Sequence, residues 1–259
     1  MKYINKILIA LCTIALINNL CLISQPIIVD HKNIIDQLVQ DNVWNPSTPL
    51  KLHLGCGESH LNGYVNLDFP PSEHTVQTKQ GADAFADITK IVFPSQSVDE
   101  VRSHHTFEHF DRQAALALLC KWHDWLKVGG TLVIETPDFE GSMQLLMNPR
   151  YSYTQKQSIM RHVFGSHEAY WAMHYDGWYK DKFEHVLSTL GFTNIHCEFT
   201  QWQLTKNIIV RAQKTAAAPA QVVQHRAKQI LRDSMVDHSG SEEKMWQTWC
   251  TLFDKCLDA

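Results

Sequence analysis

The stretch SHHTFEHF, residues 103–110, places two histidines and a glutamate in the order H-x-x-E-H. These residues are His105, Glu108 and His109. Imidazole and carboxylate groups bind metal ions, and this order is a signature of one class of zinc peptidase. Histidine also titrates near neutral pH, so the same side chains could move protons. The stretch is therefore a metal site, a proton-transfer site or a polar loop with only a structural role.

A peptidase site of this kind needs both histidines one turn apart on a helix, so that their rings converge on one metal ion. Here Asp111 is a good N-cap, and it comes after His109. Residues 105–109 therefore lie at the end of a predicted strand and in the loop after it, not on a helix. No second predicted helix offers an obvious carboxylate as a further metal ligand. The sequence predicts no metal site, and the zinc peptidase is the weakest of the three interpretations.

Other polar residues follow the ends of neighbouring predicted strands. The strand LKLHL is followed by GCGES, which contains Gly55 and Gly57, and the strand GYVNLDF contains Asp68 near its end. In open α/β sheets, ligands bind outside the carboxyl ends of the strands. Glycine lets backbone amides approach a ligand closely, and an aspartate there can accept hydrogen bonds from ribose hydroxyls. A dinucleotide site is disfavoured, because His60 stands where G-x-G-x-x-G requires glycine.

These residues need a sheet to position them, and the chain from residue 50 onward alternates strand and helix signals. Predicted strands are LKLHL, GYVNLDF, ADAFADIT, SVDEVRSHH and TLVIETP, with TNIHCEFTQW and LTKNIIVRAQK as a later hairpin. Asp111 and apolar residues at helical spacing up to Leu126 predict a helix ended by the glycine pair 129–130. YKDKFEHVLSTLGF predicts another helix, ended by Gly191. Alternating strands and helices imply a parallel sheet covered on both faces.

The start of the chain stands apart from this pattern. Lys2 and Lys6 precede the apolar run ILIALCTIALINNLCLIS, which predicts a signal peptide or a membrane anchor through residues 7–24. The protein would then be exported or membrane-anchored, and without such a role for this run it would be cytoplasmic. The formal net charge of -4, with lysine and arginine scattered along the chain, argues against nucleic acid as a partner.

The end of the chain also differs from the alternating region. After Lys214 the run TAAAPAQ predicts a linker, and two helix-like segments follow it. We therefore expect three parts: residues 1–26 as the signal peptide or anchor, 27–214 as the main domain, and 215–259 as a helical C-terminal extension. The apolar stripe of the extension would pack back on the domain or on a second subunit, which would make a homodimer.

Several segments, taken in their order and spacing, resemble the class I S-adenosylmethionine-dependent methyltransferases, particularly a bacterial branch with a shortened first helix. They are LHLGCGESHLNGYVNLDF, ADITKIVFPSQSVDEVRSHHTFEHF and WLKVGGTLVIETPDFEG, together with FGSHEAYWAMHYDGWYKDKFEHVLSTLGF before the last helix of that branch. The resemblance covers residues 48–212. It implies a Rossmann-like methyltransferase fold, which is an α/β fold with a doubly wound, mostly parallel seven-stranded sheet.

The resemblance also implies S-adenosylmethionine as the cofactor and a set of residues that bind it. These residues are Gly55, Cys56, Gly57, Asp68, Asp87 and Ile88. The first three would pass beneath the methionine part of the cofactor, Asp68 would bind the ribose, and Asp87 with Ile88 would hold the adenine. Two alternatives stay open for the adenine: Asp87 could simply cap a turn, and Asp83 competes with it for the role.

Methyl transfer is an in-line displacement at a carbon activated by the sulfonium, so the protein mainly aligns the groups and, where needed, removes a proton. The candidate catalytic residues are His105 and His109 as bases and Glu108 as their orienting partner. His174 could reach in from the segment 160–179, whose aromatic residues suit a cap over a substrate pocket. We expect the acceptor to be a small molecule, a glycan or a lipid head group.

Two functions from different classes remain open. One is methyl transfer with S-adenosylmethionine, and the other is an exported, non-catalytic binding or interaction module built on the methyltransferase fold. The apolar leader and the lack of an obligatory catalytic acid would permit the second. Lys2 and Lys6 would hold the amino terminus in the cytoplasm and place the domain outside it. S-adenosylmethionine, in contrast, is a cytoplasmic metabolite. Binding of the cofactor separates the two functions.

Overall fold

The computed structural model describes residues 27–29, 34–74 and 76–259. The predicted signal peptide or anchor, residues 1–26, lies outside the described residues. Within the described part of the chain, no helix is both long enough and apolar enough to cross a bilayer.

An eight-stranded sheet forms the centre of the molecule. Its strands are β1 (Ile27–Ile28), β2 (Lys51–Leu54), β3 (Val65–Asp68), β4 (Ala84–Phe85), β5 (Val98–His104), β6 (Leu126–Pro137), β7 (Thr193–Trp202) and β8 (Thr205–Gln213). They lie in the order β1-β4-β3-β2-β5-β6-β8-β7. Neighbours among β1 to β6 are parallel, whereas β8 is antiparallel to β6 and β7. The mostly parallel α/β sheet is confirmed, with eight strands rather than seven because the short β1 pairs with β4.

The helices connect the strands and follow the sheet. They are α1 (Ile34–Gln40), α2 (Arg112–Trp125), α3 (Phe139–Leu146), α4 (Tyr153–Phe164), α5 (Lys180–Leu190), α6 (Ala220–Arg232) and α7 (Gly240–Asp258). The carboxylate of Asp111 accepts hydrogen bonds from the N–H groups of Gln113 and Ala114, so α2 begins where the sequence predicts. Gly191, with φ of +103°, ends α5 in the left-handed conformation.

Two predicted boundaries differ from the structure for identifiable reasons. α2 ends at Trp125, because the glycine pair 129–130 lies inside β6, where it exchanges backbone hydrogen bonds with Lys214. The third predicted strand shrinks to Ala84–Phe85. After this strand, the carboxylate of Asp87 accepts hydrogen bonds from the N–H and the hydroxyl of Thr89, two residues further on. Such bonds favour turns over an extended ladder.

The strand order reverses next to β2. From β2 the chain passes to β3 and β4 on one side, and it then returns to form β5 on the other side. Leu54 at the end of β2 is in register with Ser103 of β5. The carboxyl ends of these two parallel strands therefore form a crevice, which is the usual ligand site of an open α/β sheet.

The C-terminal extension packs back on the main domain through α2, one of the two arrangements that the sequence left open. Its buried side chains join the same apolar core as the sheet: Val223, Ala227, Ile230 and Leu231 of α6, and Phe253 of α7. The linker at residues 215–219 thus connects two parts that share a core.

Candidate active site

The turn after β2 is held against the loop after β5. Gly55 has φ of +69°, and its N–H donates to the carbonyl of Leu67 over 2.9 Å. The hydroxyl of Thr106 donates to the carbonyl of Gly55, also over 2.9 Å. A Cβ atom at position 55 would overlap the Thr106 side chain. Both the backbone angle and the available space therefore require glycine here.

Asp68, at the end of β3, is buried with its carboxylate facing this turn. Its Oδ2 accepts from the N–H of Gly57 at 2.8 Å and from Nε2 of Gln77 at 3.3 Å. Its Oδ1 accepts from the N–H of Phe69 at 2.8 Å. A carboxylate has about four acceptor positions, so these three bonds leave room for a ligand hydroxyl. Asp68 thus fixes the glycine turn and still offers an acceptor.

A cavity of about 450 Å³, which we name the glycine cavity, opens over this turn. Its size is within the range of small-molecule sites. Five of the six predicted cofactor residues line it: Gly55, Gly57, Asp68, Asp87 and Ile88. The sixth, Cys56, has its side chain in a small apolar cluster with Ala82 and Phe85. Only the backbone of Cys56 shares the turn, and burial raises the pKa of its thiol.

The two aspartates that compete for the adenine role are separated by the structure. Asp87 lines the glycine cavity, and its carboxylate accepts from the hydroxyl of Thr89 at 2.6 Å and pairs with Lys90 at 2.9 Å. Although burial raises it, these two partners hold the pKa of Asp87 below its ordinary value. Asp83 is not among the cavity residues and accepts instead from the backbone and side-chain nitrogens of Asn66. Of these two aspartates, Asp87 is therefore the one that lines the glycine cavity.

A second cavity of about 570 Å³, which we name the histidine cavity, adjoins the first. Four residues line both cavities: His105, His109, Glu168 and Trp171. The remaining lining of the histidine cavity is mostly polar and includes Glu108, Ser158, Arg161, His162, His174 and Thr205. The H-x-x-E-H stretch thus lies where the two cavities meet.

The aromatic segment predicted to cap the site lies over both cavities. Tyr170, Trp171 and Tyr175 line the glycine cavity, and Trp171 Nε1 donates to the carbonyl of Glu73 over 2.8 Å. This bond ties the segment to the loop after β3. The sequence did not single out Arg161 or His162, because α4 carries them into the site from a part of the chain with no motif.

The H-x-x-E-H stretch does not lie on an α-helix. His105 belongs to the loop after β5, with φ of +51°, and Phe107–His109 forms a single 3-10 turn. Nδ1 of His105 is 3.2 Å from Oε1 of Glu108, and its Nε2 is 3.8 Å from Oε1 of Glu135. Burial lowers the pKa of His105, but the hydrogen bond and charge of Glu108 outweigh it and raise the pKa above its ordinary value.

Glu108 is buried, with 2% of its surface exposed. Burial raises its pKa, but the hydrogen bond and charge of His105 bring the pKa below the ordinary value. Glu108 is therefore a carboxylate. Its Oε1 is 3.9 Å from Nε2 of His174. Its Oε2 is buried and has no hydrogen-bond partner among the described residues.

His109 and His174 face each other beside this carboxylate. Their rings are edge to face with centroids 4.6 Å apart. Nδ1 of His109 is 3.1 Å from the carbonyl of Met173, and Nδ1 of His174 is 3.2 Å from the carbonyl of Val163. A carbonyl can only accept, so each Nδ1 carries a proton. Burial lowers the pKa of His174 to about 4, so its ring is neutral near pH 7 and its Nε2 has a lone pair.

Residues 52–134 match the methyltransferase domain family. This span runs from β2 into β6 and contains the glycine turn, Asp68, Asp87 and the H-x-x-E-H stretch. No curated protein matches the chain.

The chain is also similar to solved methyltransferase structures. A SAM dependent methyltransferase from Archaeoglobus fulgidus is 13% identical over 71% of this chain and 95% of that one, with a TM-score of 0.45. The 1,6-didemethyltoxoflavin-N1-methyltransferase of Burkholderia thailandensis, solved with S-adenosylhomocysteine, is 12% identical over 66% and 73%, with a TM-score of 0.44. The chain spans 54% of the CurJ carbon methyltransferase structure, using 71% of its own length, at 16% identity and a TM-score of 0.40.

Proposed function

We propose that this chain is a class I S-adenosylmethionine-dependent methyltransferase, because residues 52–134 match the methyltransferase domain family, and that it methylates a polar acceptor held in the histidine cavity. In this proposal S-adenosylmethionine is the cofactor, as the match to the methyltransferase domain family supports. The acceptor in this proposal is a small molecule, a glycan or a lipid head group. The observation that carries the proposal is the meeting of the two cavities at His105 and His109, since a cofactor in one and an acceptor in the other would share that boundary.

The residues of the glycine cavity fit S-adenosylmethionine. The turn at Gly55 has no space for a side chain, so backbone can approach the methionine part of the cofactor. The remaining acceptor capacity of Asp68 suits a ribose hydroxyl, and Asp87 with Ile88 would lie along the adenine. When bound, the cofactor supplies a methyl group activated by the sulfonium.

The chemical demands on the protein are alignment and exclusion of water. An in-line displacement gains most from holding the nucleophile and the methyl group in a near-attack geometry. The candidate catalytic residues His105, Glu108 and His109 surround the place where the cavities meet. The segment containing Trp171 covers the same place and would keep water from the sulfonium.

The proposal is tested by titrating the full chain calorimetrically with S-adenosylmethionine and with S-adenosylhomocysteine. We expect both to bind, and Asp68→Ala to weaken binding by about 1–3 kcal/mol, because buried hydroxyls lose a charged acceptor. Asp83→Asn is the matched control, since Asp83 precedes the adjacent strand β4 and does not line the glycine cavity. The folded Asp83→Asn protein should bind S-adenosylmethionine as tightly as the unmutated chain does. No binding by the unmutated chain would overturn the proposal.

Transfer itself separates an enzyme from a binding module. Incubation with methyl-labelled S-adenosylmethionine and pools of small molecules, glycans or lipids should label one pool. Cofactor binding without labelling of any pool would favour the non-catalytic module that the sequence also allows.

A further inference from the structure

We propose that Glu108, His109 and His174 bind one divalent metal ion, of which zinc fits best, on the wall of the histidine cavity. One ligand atom from each of these residues lies within 4.8 Å of the other two. All three residues line the same cavity. Methyl transfer does not require a metal ion, and the proposal does not depend on which acceptor is methylated. Glu108 and His109 are also candidate catalytic residues, and an ion bound to them would leave His105 as the candidate base.

The two histidines are prepared to bind a metal through Nε2. Each Nδ1 donates to a backbone carbonyl, that of Met173 for His109 and that of Val163 for His174. This bond fixes the tautomer and the ring orientation and leaves the lone pair on Nε2. Metal-binding histidines in proteins almost always have their other nitrogen held in this way.

Glu108 supplies the negative ligand and has a reason to take a cation. Its Oε2 is buried without a hydrogen-bond partner among the described residues, which costs free energy unless something binds there. Its Oε1 is held by His105 at 3.2 Å, so the carboxylate is already oriented. A metal ion would satisfy the buried oxygen while that orienting bond remained.

The backbone holds the ligand-bearing segments together. The N–H of Tyr175 donates to the carbonyl of Glu108 over 3.0 Å, and the N–H of His174 donates to the carbonyl of Phe164 over 3.1 Å. Ligands of tetrahedral zinc at about 2.1 Å are roughly 3.4 Å apart. One ligand atom of each residue already lies within 4.8 Å of the other two, and Nε2 of His174 is 3.9 Å from Oε1, the carboxylate oxygen that His105 holds. Small side-chain adjustments would therefore bring the three residues to zinc-binding distances.

The donor set and the cavity together suggest an open zinc site. Two imidazoles and one carboxylate form a set that zinc accepts, and catalytic zinc sites keep a fourth position for water or substrate. Here the fourth position would face the histidine cavity beside its boundary with the glycine cavity. The site differs from the peptidase arrangement, because its second histidine is His174 rather than His105. The sequence-based prediction of no metal site did not consider a ligand from this distant segment.

A second group, His104, His105 and Glu135, also meets the distance limit for a metal site. Both oxygens of Glu135 already lie near histidine nitrogens, at 3.5 Å from His104 and 3.8 Å from His105. Of this group only His105 lines either of the two cavities. Glu135 is therefore a matched control: like Glu108 it is a buried glutamate beside His105, but it is not a ligand in the proposed site.

The test measures metal on the full chain, purified without a histidine tag, after loading with zinc chloride and extensive dialysis. Mass spectrometry of the elements should find one zinc per chain, and zinc should raise the melting temperature. Glu108→Gln should weaken zinc binding by more than the 10–100-fold that loss of an outer partner costs. Glu135→Gln should retain the metal.

Several results would overturn the proposal. The unmutated chain could lack stoichiometric zinc, or Glu108→Gln could bind as much zinc as the unmutated chain. Loss of zinc from Glu135→Gln but not from Glu108→Gln would also contradict the proposal. His174→Ala provides a second variant if Glu108→Gln does not fold. Binding of S-adenosylmethionine is measured on the same preparations after the metal has been removed with a chelator. This measurement shows whether each variant is folded, and it distinguishes failure of the metal site from failure of the proposed function.

Discussion

His123 lies near the end of α2 with its ring packed edge to face against Phe192, 5.1 Å between centroids. Its surface is 1% exposed, and its Nε2 has no hydrogen-bond partner among the described residues. Lys214, also buried, donates from Nζ to the backbone carbonyls of His123 and Leu126. Burial, followed by the nearby charge of Lys214, lowers the pKa of His123 to about 4.

This histidine should make the stability of the fold depend on pH. The folded chain keeps His123 neutral, whereas the unfolded chain takes up a proton near pH 6.5. The contribution of neutral His123 to the free energy of unfolding is therefore fully present above pH 6.5 and is lost as the pH falls towards 4. In His123→Gln, the free energy of unfolding should fall less steeply across this range. The difference should approach 1.4 kcal/mol per pH unit, about the limit for one proton. Urea titrations at several pH values measure it.

His225→Gln is the control for this prediction, because His225 is an exposed histidine on α6. Its pH dependence should match that of the parent. If His123→Gln and the parent lost stability equally between pH 6.5 and 4, His123 would not be the group responsible.

The sequence could identify some residues of the candidate site but not others. Asp68 was predictable as a residue of the crevice, because it ends a strand beside the glycine turn, and in the structure it lines the glycine cavity. Asp83 and Asp87 were not separable, since they flank a strand of two residues and either could face the cavity. His174 was only a candidate, because its position beside Glu108 depends on contacts between distant parts of the chain.

The glycine turn determines how two elements fit together, because it holds the end of β2 against the loop after β5. Gly55→Ala should lower the free energy of unfolding by more than the about 1 kcal/mol expected from the left-handed backbone alone, since the new methyl group would overlap Thr106. Cofactor binding should be lost as well. Denaturant titration and calorimetry on the same variant measure both effects.

Gly63→Ala isolates the backbone contribution. Gly63 has φ of +82°, and nothing lies within 4 Å of a Cβ atom built there. This variant should show the smaller loss and should still bind cofactor. Equal losses in the two variants would mean that the contact with Thr106 is not what fixes glycine at position 55.

Elements were predictable where their ends are determined locally. Asp111 and Gly191 each mark a helix end through a neighbouring backbone group, and both predictions are confirmed. The capping box of Ser152 and Gln155 is an equally local signal that begins α4, and it was overlooked. β1 could not be predicted in the same way, because two residues carry no periodicity and only their pairing with β4 makes them a strand.

At the scale of the whole molecule, the strand order brings the two cavities together. The reversal beside β2 places the glycine turn against the loop after β5. The alternating strands and helices predicted a parallel sheet with polar residues at its carboxyl ends, but not this strand order. The histidine cavity could not be predicted, because residues from the loop after β5, from α4 and from the β7–β8 turn meet there only in the folded chain. Export or anchoring through residues 7–24 stays a prediction, since that run lies outside the described residues.

The C-terminal extension is expected to be part of the folding unit. Phe253 of α7 is 0% exposed and lies in the main apolar core, whereas its neighbour Leu252 is 41% exposed. Phe253→Ala should therefore cost about 3–5 kcal/mol of unfolding free energy through lost burial and the cavity left behind. Leu252→Ala, which removes a similar side chain from the same helix, should cost far less. Thermal and denaturant unfolding should show one transition for the whole chain. A Phe253→Ala variant as stable as Leu252→Ala, or a separate early transition for α6 and α7, would mean that the extension contributes little to holding α2 and the sheet in place.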